Sequence, residues 1–359
     1  MKLTNISPIF WRSKRVLISG HTGFKGSWLS IWLQSLGAEV CGLALAPPTR
    51  PSLFTEAKVS NGMKSEIVDI RNFEAVDFVF QSFRPEIVIH MAAQPLVRLS
   101  YHEPIETYAT NVMGTVHILE AARRAKSVRA IVNVTTDKCY ENREWVWGYR
   151  EDEPMGGHDP YSSSKGCSEL ISSAYRRSFL ETQGIGLATA RAGNVIGGGD
   201  WAQDRLIPDI LKSFLKDEVV EIRNPSAIRP WQHVLEPLSG YLILAERLFL
   251  KESDTAGAWN FGPRDEDTKS VKWIVENLSA KWGATTSLKL SPGQQLHEAH
   301  FLKLDISKAR QQLGWQPKWS LDTALDKIID WQESWCNHED MRAKCITQIA
   351  EYNAEELTL

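Results

Sequence analysis

The sequence lacks three features that would place it in a specialised class of protein. Its five cysteines are scattered and none forms a Cys-x-x-Cys pair, which predicts reduced thiols and no zinc or other metal site. The 41 Lys and Arg nearly balance the 44 Asp and Glu, for a net charge of −3, so no basic stripe suited to nucleic acid is expected. No apolar run approaches the length of a membrane span. We therefore expect partners that are small molecules.

The N-terminal segment also lacks the apolar core of a signal peptide, because Pro8, Arg12 and Lys14 interrupt its apolar residues. Together with the reduced thiols, this predicts a cytoplasmic protein. The 359 residues allow one large domain or two ordinary ones, with a substantial core in either case.

A glycine-rich turn stands between a predicted strand and a predicted helix near the N-terminus. Gly20, Gly23 and Gly26 follow a short apolar run, and large apolar residues then recur at helical spacing. This order favours dinucleotide binding: the first glycine permits a tight turn, the second lets the backbone approach a pyrophosphate, and the third lets the helix pack on the strand. His21 and Lys25 lie on the same turn, where they either add positive charge beside the pyrophosphate or are solvated loop residues.

Strand-like runs alternate with helix-like runs, which predicts an α/β fold with a doubly wound parallel sheet of the Rossmann type. Strands are expected at Arg15 to Ser19, Glu39 to Leu45, Glu66 to Asp69, Glu86 to Met91, Ala130 to Thr135 and Gly186 to Arg191. A flexible loop is expected at Gly197, Gly198 and Gly199, followed by helices and short strands. We assign residues 1–193, with about 230–265, to a dinucleotide-binding Rossmann domain, and residues 194–229 and 266–359 to a smaller mixed α/β substrate domain.

Tyr161 and Lys165 stand four residues apart, about one turn of a helix, so both side chains project from one face. There the ammonium is expected to lower the pKa of the phenol and make it a proton acceptor. A pair with this spacing is, by itself, more often an ordinary helix surface. The glycine turn upstream favours the catalytic interpretation, because a bound dinucleotide gives such a base a reaction to serve.

Thr136, Asp137 and Lys138 directly follow the fifth predicted strand. The carboxyl ends of strands in a doubly wound sheet face the ligand crevice, so these side chains are expected beside the reacting end of a dinucleotide. The same three residues would equally suit a turn that caps the next helix. Their combination with Tyr161 and Lys165 favours a catalytic role.

Together these motifs resemble the extended short-chain dehydrogenase/reductase superfamily, in its nucleotide-sugar 4,6-dehydratase branch. The narrower resemblance, to members that use a cytidine diphosphate sugar, lies in His21 to Leu29, Thr135 to Tyr140, Gly197 to Asp209, Arg229 to Val234 and Leu313 to Pro317. It covers nearly the whole chain, and only this resemblance selects the nucleotide base.

The resemblance implies NAD as cofactor, a nucleotide sugar as substrate and a product used for deoxysugars of bacterial surface polysaccharide, such as the O-antigen of lipopolysaccharide. It also implies a homodimer, or a tetramer, formed through a four-helix bundle. The helices concerned are those around Tyr108 to Ala125 and Tyr161 to Phe179, although each could equally be buried within one subunit.

The implied mechanism has two parts. Tyr161, assisted by Lys165, takes the proton of the sugar C4 hydroxyl, while Thr136 bonds the C4 oxygen. The resulting ketone acidifies the C5 proton, and Asp137 protonates the C6 hydroxyl, which leaves as water. Lys138 stands where related dTDP-sugar enzymes carry a glutamate, so the predicted C5 base is an amine, which must be neutral to accept a proton.

The remaining predicted site residues belong to the two ligands. The cofactor is expected at Gly20, His21, Gly23, Phe24, Lys25, Gly26, Asp69, Ile70, Ala92, Ala93, Gln94, Asn111, Thr135, Tyr161, Lys165 and Arg191. The substrate is expected at Asn194, Arg205, Arg229, Asn260 and His300. The two arginines of this second set offer forked donors for phosphate oxygens.

Three alternatives stay open. The second strand is not followed by the acid that usually bonds the ribose of NAD, and Arg50 would suit the 2′-phosphate of NADP. A nucleotide-sugar 4-epimerase would share the glycine turn and the Tyr161 and Lys165 pair, but it has no use for Asp137 and Lys138. A non-catalytic nicotinamide-sensing regulator of the same fold would need none of these side chains.

Overall fold

The computed structural model describes residues 5–283, 288–290 and 301–355. The described strands are β1 (Arg15–Ser19), β2 (Glu39–Ala44), β3 (Lys64–Ile67), β4 (Ile87–His90), β5 (Ala130–Val134), β6 (Gly186–Arg191), β7 (Val195–Ile196), β8 (Val220–Ile222), β9 (Ile228–Pro230), β10 (Gln232–His233), β11 (Gly257–Asn260), β12 (Thr268–Ser270) and β13 (Leu288–Leu290).

The described α-helices are α1 (Pro8–Trp11), α2 (Phe24–Ser35), α3 (Leu53–Glu56), α4 (Phe73–Phe83), α5 (Val97–His102), α6 (Pro104–Tyr108), α7 (Gly114–Arg124), α8 (Pro160–Tyr175), α9 (Leu206–Leu215), α10 (Leu235–Phe249), α11 (Val271–Trp282), α12 (Leu321–Cys336) and α13 (Met341–Ala354). Single π-helical turns cover Ala109–Met113, Arg176–Leu180 and Ala309–Leu313, and 3₁₀ turns cover Asp137–Cys139, Glu181–Gln183 and Asp265–Asp267.

Seven parallel strands form the central sheet, in the order β11-β6-β5-β4-β1-β2-β3. The direction of strand succession reverses between β1 and β4, and in such sheets ligands bind in the crevice at the carboxyl ends beside that point. The inner strands are buried because helices cover both faces of the sheet. The predicted doubly wound Rossmann sheet is confirmed, and β11 extends it beyond β6.

Two predicted boundaries were wrong. The third strand runs from Lys64 to Ile67 instead of Glu66 to Asp69, so Asp69 lies in the loop that follows the strand. This strand is at the edge of the sheet and half exposed, so its polar residues carry no clear burial pattern. The helix expected from Tyr108 begins instead at Pro104, a residue suited to the first turn of a helix.

Short two-stranded sheets and helices form the second lobe beside the carboxyl ends of the central sheet. The sheets pair β7 with β10, β8 with β13, and β9 with β12. Helix α13 packs on α2, where the Trp32 and Tyr352 rings meet edge to face at 5.8 Å, and α12 packs on α13. Within residues 5–283, 288–290 and 301–355, no helix combines the length and apolarity that crossing a bilayer requires.

The glycine loop at 197–199 is tightly packed, and the prediction of a flexible loop there was wrong. A Cβ atom on Gly198 would lie 2.1 Å from Cγ of Trp331, so the backbone touches the indole ring directly. The carbonyl of Gly198 accepts a hydrogen bond from the Trp28 indole N–H at 3.0 Å. Glycine serves here for close approach of the backbone to two aromatic rings, not for flexibility.

Candidate active site

Thr136, Asp137 and Tyr161 meet at the carboxyl end of β5. Thr136 Oγ1 donates to Asp137 Oδ1 at 3.0 Å. Tyr161 stands in the first turn of α8, which begins with Asp159 as N-cap and Pro160 as the first helical residue. The Thr136 hydroxyl also acts on the Tyr161 phenol, whose pKa it lowers against the larger effect of burial. The structure thus places the end of one strand and the start of one helix in a single polar crevice.

Asp137 is the most enclosed carboxylate of this crevice. Its Oδ2 atom is buried without a partner in the described part of the chain, and a Cβ atom on Gly193 would lie 1.7 Å from that oxygen. Burial raises the pKa of Asp137, and the positive charge of Lys138 acts against this rise. A carboxyl group in this environment keeps its proton to higher pH than usual and is suited to act as an acid.

Burial also raises the pKa of Tyr161, to about 12, although the hydrogen bond with Thr136 acts in the opposite direction. The expectation that Lys165 lowers the phenol pKa below its ordinary value was therefore wrong for the protein alone. The physical reason is desolvation: a phenolate enclosed in the crevice loses more hydration than its neighbours replace.

Lys165 lies one helical turn beyond Tyr161, and its Nζ atom donates to the carbonyl oxygen of Val134 at 3.2 Å. Burial lowers its pKa to about 8, while the carboxylate of Glu169 favours the charged form. The predicted Tyr and Lys pair thus lies on one helix face against the end of β5. Lys138 is half-buried beside it, in the 3₁₀ turn that begins with Asp137.

Glu169, which the sequence patterns did not identify, lies on α8 and ties that helix to the neighbouring strands. Its carboxylate accepts from Arg191 Nε at 2.9 Å and Nη2 at 2.8 Å, and from the hydroxyl groups of Thr135 and Thr189. Arg191 also donates to the Tyr140 hydroxyl at 2.7 Å. Because these contacts use the Arg191 guanidinium inside the protein, they favour a supporting role for this residue over direct contact with a cofactor.

The four-residue spacing between Lys165 and Glu169 was the one sequence signal for Glu169, and it was not sufficient by itself. Both residues lie on α8, so an acid at this position faces the same strand ends as the lysine. An acid on an amphipathic helix is usually solvated, which is why the spacing alone was not informative.

The glycine turn has the geometry of a dinucleotide cradle. Gly20 has a φ of +82°, and a Cβ atom there would lie 2.8 Å from the backbone nitrogen of Ala92. A Cβ atom on Gly26 would lie 2.0 Å from the carbonyl oxygen of Gly20. Helix α2 begins at Gly23 without a side-chain cap or an acid in its first turn. Its first backbone N–H groups therefore suit the anionic pyrophosphate of a dinucleotide.

Lys25 and His21 differ in what they add to this turn. Burial lowers the pKa of Lys25 to about 7, and the charges of Lys165 and Arg205 lower it further. Lys25 is thus one of several cations that share the crevice. Burial lowers the pKa of His21 to about 4, and its Nε2 atom lies 2.7 Å from Ser65 Oγ. His21 is neutral and buried between strands, so both predicted alternatives for it, a charged contact and a solvated loop residue, were wrong.

The structure also shows the surroundings of the other residues that were predicted to bind the cofactor. The Asn111 amide bonds the backbone of Gln94 and donates to Ser164 Oγ at 2.9 Å, which ties the end of β4 to α8. Asp69 accepts from the backbone N–H of Arg71 at 2.9 Å. The remaining members are half-buried Ala92 and Ala93, buried Ile70 against Gly114, and Phe24 against Gly197. Arg50, the candidate for a 2′-phosphate, is exposed.

The two arginines of the predicted substrate set reach the crevice from the second lobe. The charge of Arg229 on β9 lowers the pKa of buried Asp137, against the larger effect of burial. Arg205 precedes α9, and its Nη1 atom donates to Asp200 Oδ2 at 2.8 Å. The charge of Arg205 also acts on Tyr161. The charges of both guanidinium groups therefore act on catalytic residues.

The other three substrate candidates differ from the arginines. Asn194 lies at a left-handed turn, with a φ of +45°. The Asn260 amide is fully buried and bonds Tyr140 Oη at 2.8 Å and the carbonyl oxygen of Tyr149 at 2.8 Å. These contacts favour a role for Asn260 in holding the loop before α8 over direct substrate contact. His300 lies outside the described residues.

Sequence comparison identifies close relatives. Residues 17–328 match the family described as GDP-mannose 4,6-dehydratase. The chain is 58% identical over 352 residues to a CDP-glucose 4,6-dehydratase of Salmonella typhimurium, covering 97% of this chain and 98% of the relative. It is 27% identical over 338 residues to a probable dTDP-glucose 4,6-dehydratase of Sinorhizobium fredii, covering 88% and 92% of the two chains.

Solved structures share the fold. A UDP-glucose 4-epimerase of Thermotoga maritima, crystallised with UDP-glucose, superposes with a TM-score of 0.80 at 22% identity, over 90% of this chain and 99% of the epimerase. A dTDP-glucose 4,6-dehydratase of Streptomyces venezuelae, with NAD bound, gives a TM-score of 0.78 at 22% identity, over 91% and 99% of the chains. At this identity the likeness establishes the fold, which serves both dehydratases and epimerases.

Proposed function

The chain belongs to the GDP-mannose 4,6-dehydratase family, and from this premise we propose that it is a CDP-glucose 4,6-dehydratase. It would convert CDP-D-glucose to CDP-4-dehydro-6-deoxy-D-glucose and water. The 58% identity to a CDP-glucose 4,6-dehydratase over 97% of this chain supports the choice of nucleotide.

One observation carries the choice of reaction: a buried acid lies beside the proposed oxidation site. Asp137 bonds Thr136, has one oxygen without a partner among the described residues, and has a pKa raised by burial. An epimerase that oxidises and reduces C4 has no leaving group to protonate. A dehydratase needs an acid for the C6 hydroxyl, and Asp137 has the environment of one.

Tyr161 is the proposed base for the C4 hydroxyl, with Thr136 bonding the same oxygen. The charge of Arg205 offsets part of the cost of ionising the enclosed phenol. Oxidation at C4 acidifies the hydrogen at C5. Lys138, in the same 3₁₀ turn as Asp137, is the proposed base that removes it.

We propose NAD as the cofactor, held by Gly20, Gly23 and Gly26, by Lys25 and by the N-terminus of α2. When bound, NAD supplies a hydride acceptor for C4 that returns the hydride at C6. Asp69 and Ile70 are proposed to lie beside the adenine. The nucleotide sugar would lie across the crevice, with Arg205 and Arg229 on its diphosphate.

We propose that residues 1–193, with about 230–265, bind NAD and that residues 194–229 and 266–359 bind the nucleotide sugar. The pairing of β11 with β6 supports the assignment of the 230–265 segment to the first unit. The segment supplies one strand to the central sheet.

A substrate panel tests the proposed function. The purified protein is incubated separately with CDP-glucose, dTDP-glucose and GDP-mannose in the presence of NAD, and each reaction is assayed for the alkali-induced absorbance of a 4-keto sugar. We expect the largest kcat/KM with CDP-glucose. A larger value with another nucleotide would overturn the proposed base, and no 4-keto product from any of them would overturn the reaction.

We also propose a homodimer formed through α6, α7 and α8. Two apolar side chains of these helices are exposed in the single chain, Ile105 on α6 at 85% and Leu170 on α8 at 62%. Leu170→Glu should therefore yield monomers by light scattering. Phe78→Glu is the matched control, because Phe78 is 72% exposed but lies on α4. A dimer that survives Leu170→Glu, or is lost in Phe78→Glu, contradicts this interface.

A cytoplasmic location is proposed on the chemistry of the thiols and the substrate. All five cysteines lie in the described residues and are free. Nucleotide sugars are cytoplasmic metabolites, and a 4-keto-6-deoxy product would serve the deoxysugars of bacterial surface polysaccharide such as O-antigen.

A further inference from the structure

Arg205 does not stand free in the crevice, because an enclosed carboxylate holds it. The Arg205 Nη1 atom donates to Asp200 Oδ2 at 2.8 Å. Only 7% of the Asp200 side chain is exposed, compared with 32% of the Arg205 side chain. The second oxygen of Asp200 accepts from the Ala202 N–H at 3.1 Å, so the carboxylate is itself fixed to its loop. A charge-assisted bond of this kind restricts an otherwise flexible side chain.

The loop that carries Asp200 is in turn clamped between two helices. Its Gly198 carbonyl bonds the indole of Trp28 on α2, and its backbone lies against Trp331 on α12. The Trp201 ring meets the Trp331 ring edge to face at 5.6 Å, with ring planes at 68°. Residues from near both ends of the sequence thus hold the loop that carries Asp200. An ordinary surface loop does not have such contacts.

Arg205 lies where its charge acts on both parts of the proposed chemistry. Burial is the main influence on the pKa of Tyr161, and the charge of Arg205 acts against it. Burial likewise dominates the pKa of Lys25, and Arg205 lowers it further. The charge of the guanidinium therefore acts on the catalytic tyrosine and on a lysine of the glycine turn.

We propose that Asp200 is a positioning residue of the active site, which acts by holding Arg205 in place to receive the substrate diphosphate. The inference rests on the proposed function, in which Arg205 binds that diphosphate. Asp200 itself makes no contact with substrate in this arrangement. Its whole contribution to substrate affinity passes through Arg205.

A double-mutant cycle tests this inference. The dissociation constants of CDP and of dTDP are measured by calorimetry on the NAD-loaded wild type, Asp200→Asn, Arg205→Met and the double variant. We expect Asp200→Asn to weaken CDP binding by roughly tenfold, as the loss of a charge-assisted contact does. The double variant should match Arg205→Met within about twofold, because Asp200 has nothing left to position.

The cycle separates positioning from a merely structural role. If Asp200 only stabilises the fold, its effect multiplies with that of Arg205→Met, and such multiplication overturns the inference. Wild-type protein that prefers dTDP would contradict the proposed substrate, but the dTDP cycle would still decide the role of Asp200. Failure of the substrate assignment and failure of the inference therefore give different results.

Two further variants serve as a control and as a replacement for a variant that does not fold. Asp322→Asn is the matched control, because it removes a carboxylate that lies 2.9 Å from Lys281 Nζ on the exposed surface. It should leave CDP binding unchanged. A loss of CDP affinity as large as that of Asp200→Asn would show that the effect does not depend on the position of Asp200 beside Arg205. If Asp200→Asn does not fold, Asp200→Ser is used, since its hydroxyl can still accept from the Ala202 N–H but cannot form the ion pair.

Discussion

The two walls of the crevice are built differently. On the first wall, the end of β5 and the start of α8 bring Thr136, Asp137 and Tyr161 together through contacts within neighbouring elements. On the second wall, Arg205 takes its position from Asp200, whose loop bonds Trp28, a partner 170 residues away from Gly198 along the chain. The first wall holds the proposed chemistry of the sugar, and the second holds the proposed diphosphate.

This difference explains what the sequence could predict. The strand, the glycine turn and the Tyr161 and Lys165 pair follow from local spacing, and the structure has the predicted sheet with these residues at its carboxyl ends. Asp200 could not be found in the same way, because its partners are distant in sequence. The prediction that the 197–199 loop is flexible was wrong for the same reason. Three consecutive glycines suggest a flexible loop when the two indole rings that contact them are not known.

The electrostatic environment of a side chain is the second feature that could not be predicted from the sequence. The spacing of Tyr161 and Lys165 was correct, but the direction of the Tyr161 pKa shift depends on burial, which spacing does not reveal. His21 is a similar case. Its position in the glycine turn suggested a charged contact, whereas packing against Gly42 keeps it neutral.

The largest expected effect lies on the first wall. Tyr161→Phe removes the proposed base for the C4 hydroxyl, so kcat with CDP-glucose should fall by roughly 10³-fold, within the usual range for general-base catalysis. The dissociation constants of NAD and CDP should stay within about twofold of wild type, because the phenyl ring remains. A variant that keeps more than about a tenth of the wild-type kcat would contradict this assignment.

The proposed roles of Asp137 as acid and Lys138 as base can be distinguished by experiment. Each substitution, Asp137→Asn or Lys138→Ala, should lower the rate of water loss by roughly 10²-fold or more. In deuterium oxide, Asp137→Asn should still exchange the C5 hydrogen of recovered CDP-glucose, because the base is intact, whereas Lys138→Ala should not. Mass spectrometry and NMR of the recovered sugar measure the exchange. Exchange at the wild-type rate in Lys138→Ala would show that another residue is the base.

Lys25, on the glycine turn, should give NAD binding a pH dependence. Because its pKa is lowered to about 7, its charge is present at lower pH and is lost as the pH rises. NAD affinity should therefore fall by roughly tenfold between pH 6 and pH 9, the size of one charge-assisted contact. Lys25→Met should be equally weak at both values. Calorimetric titration of both proteins checks this, and the same pH dependence in Lys25→Met would exclude Lys25 as its source.

The last prediction concerns the packing of the 197–199 loop against Trp28 and Trp331, and its effect is on stability. Gly198→Ala places a Cβ atom 2.1 Å from Trp331, so the free energy of unfolding should fall by about 1–3 kcal/mol, the cost of overpacking. Gly262→Ala is the control, since its Cβ atom would lie no closer than 3.3 Å to the nearest side chain. Denaturant melts of both variants compare the two sites. Equal stability would show that the 197–199 loop adapts easily and is not clamped.

The mass of the product formed from CDP-glucose decides between elimination and epimerisation. If Asp137 makes the oxidation at C4 lead to elimination, the wild-type protein with NAD will release a nucleotide sugar lighter than the substrate by one water molecule. A product of unchanged mass, with the configuration at C4 inverted, would contradict the account and would identify a 4-epimerase instead.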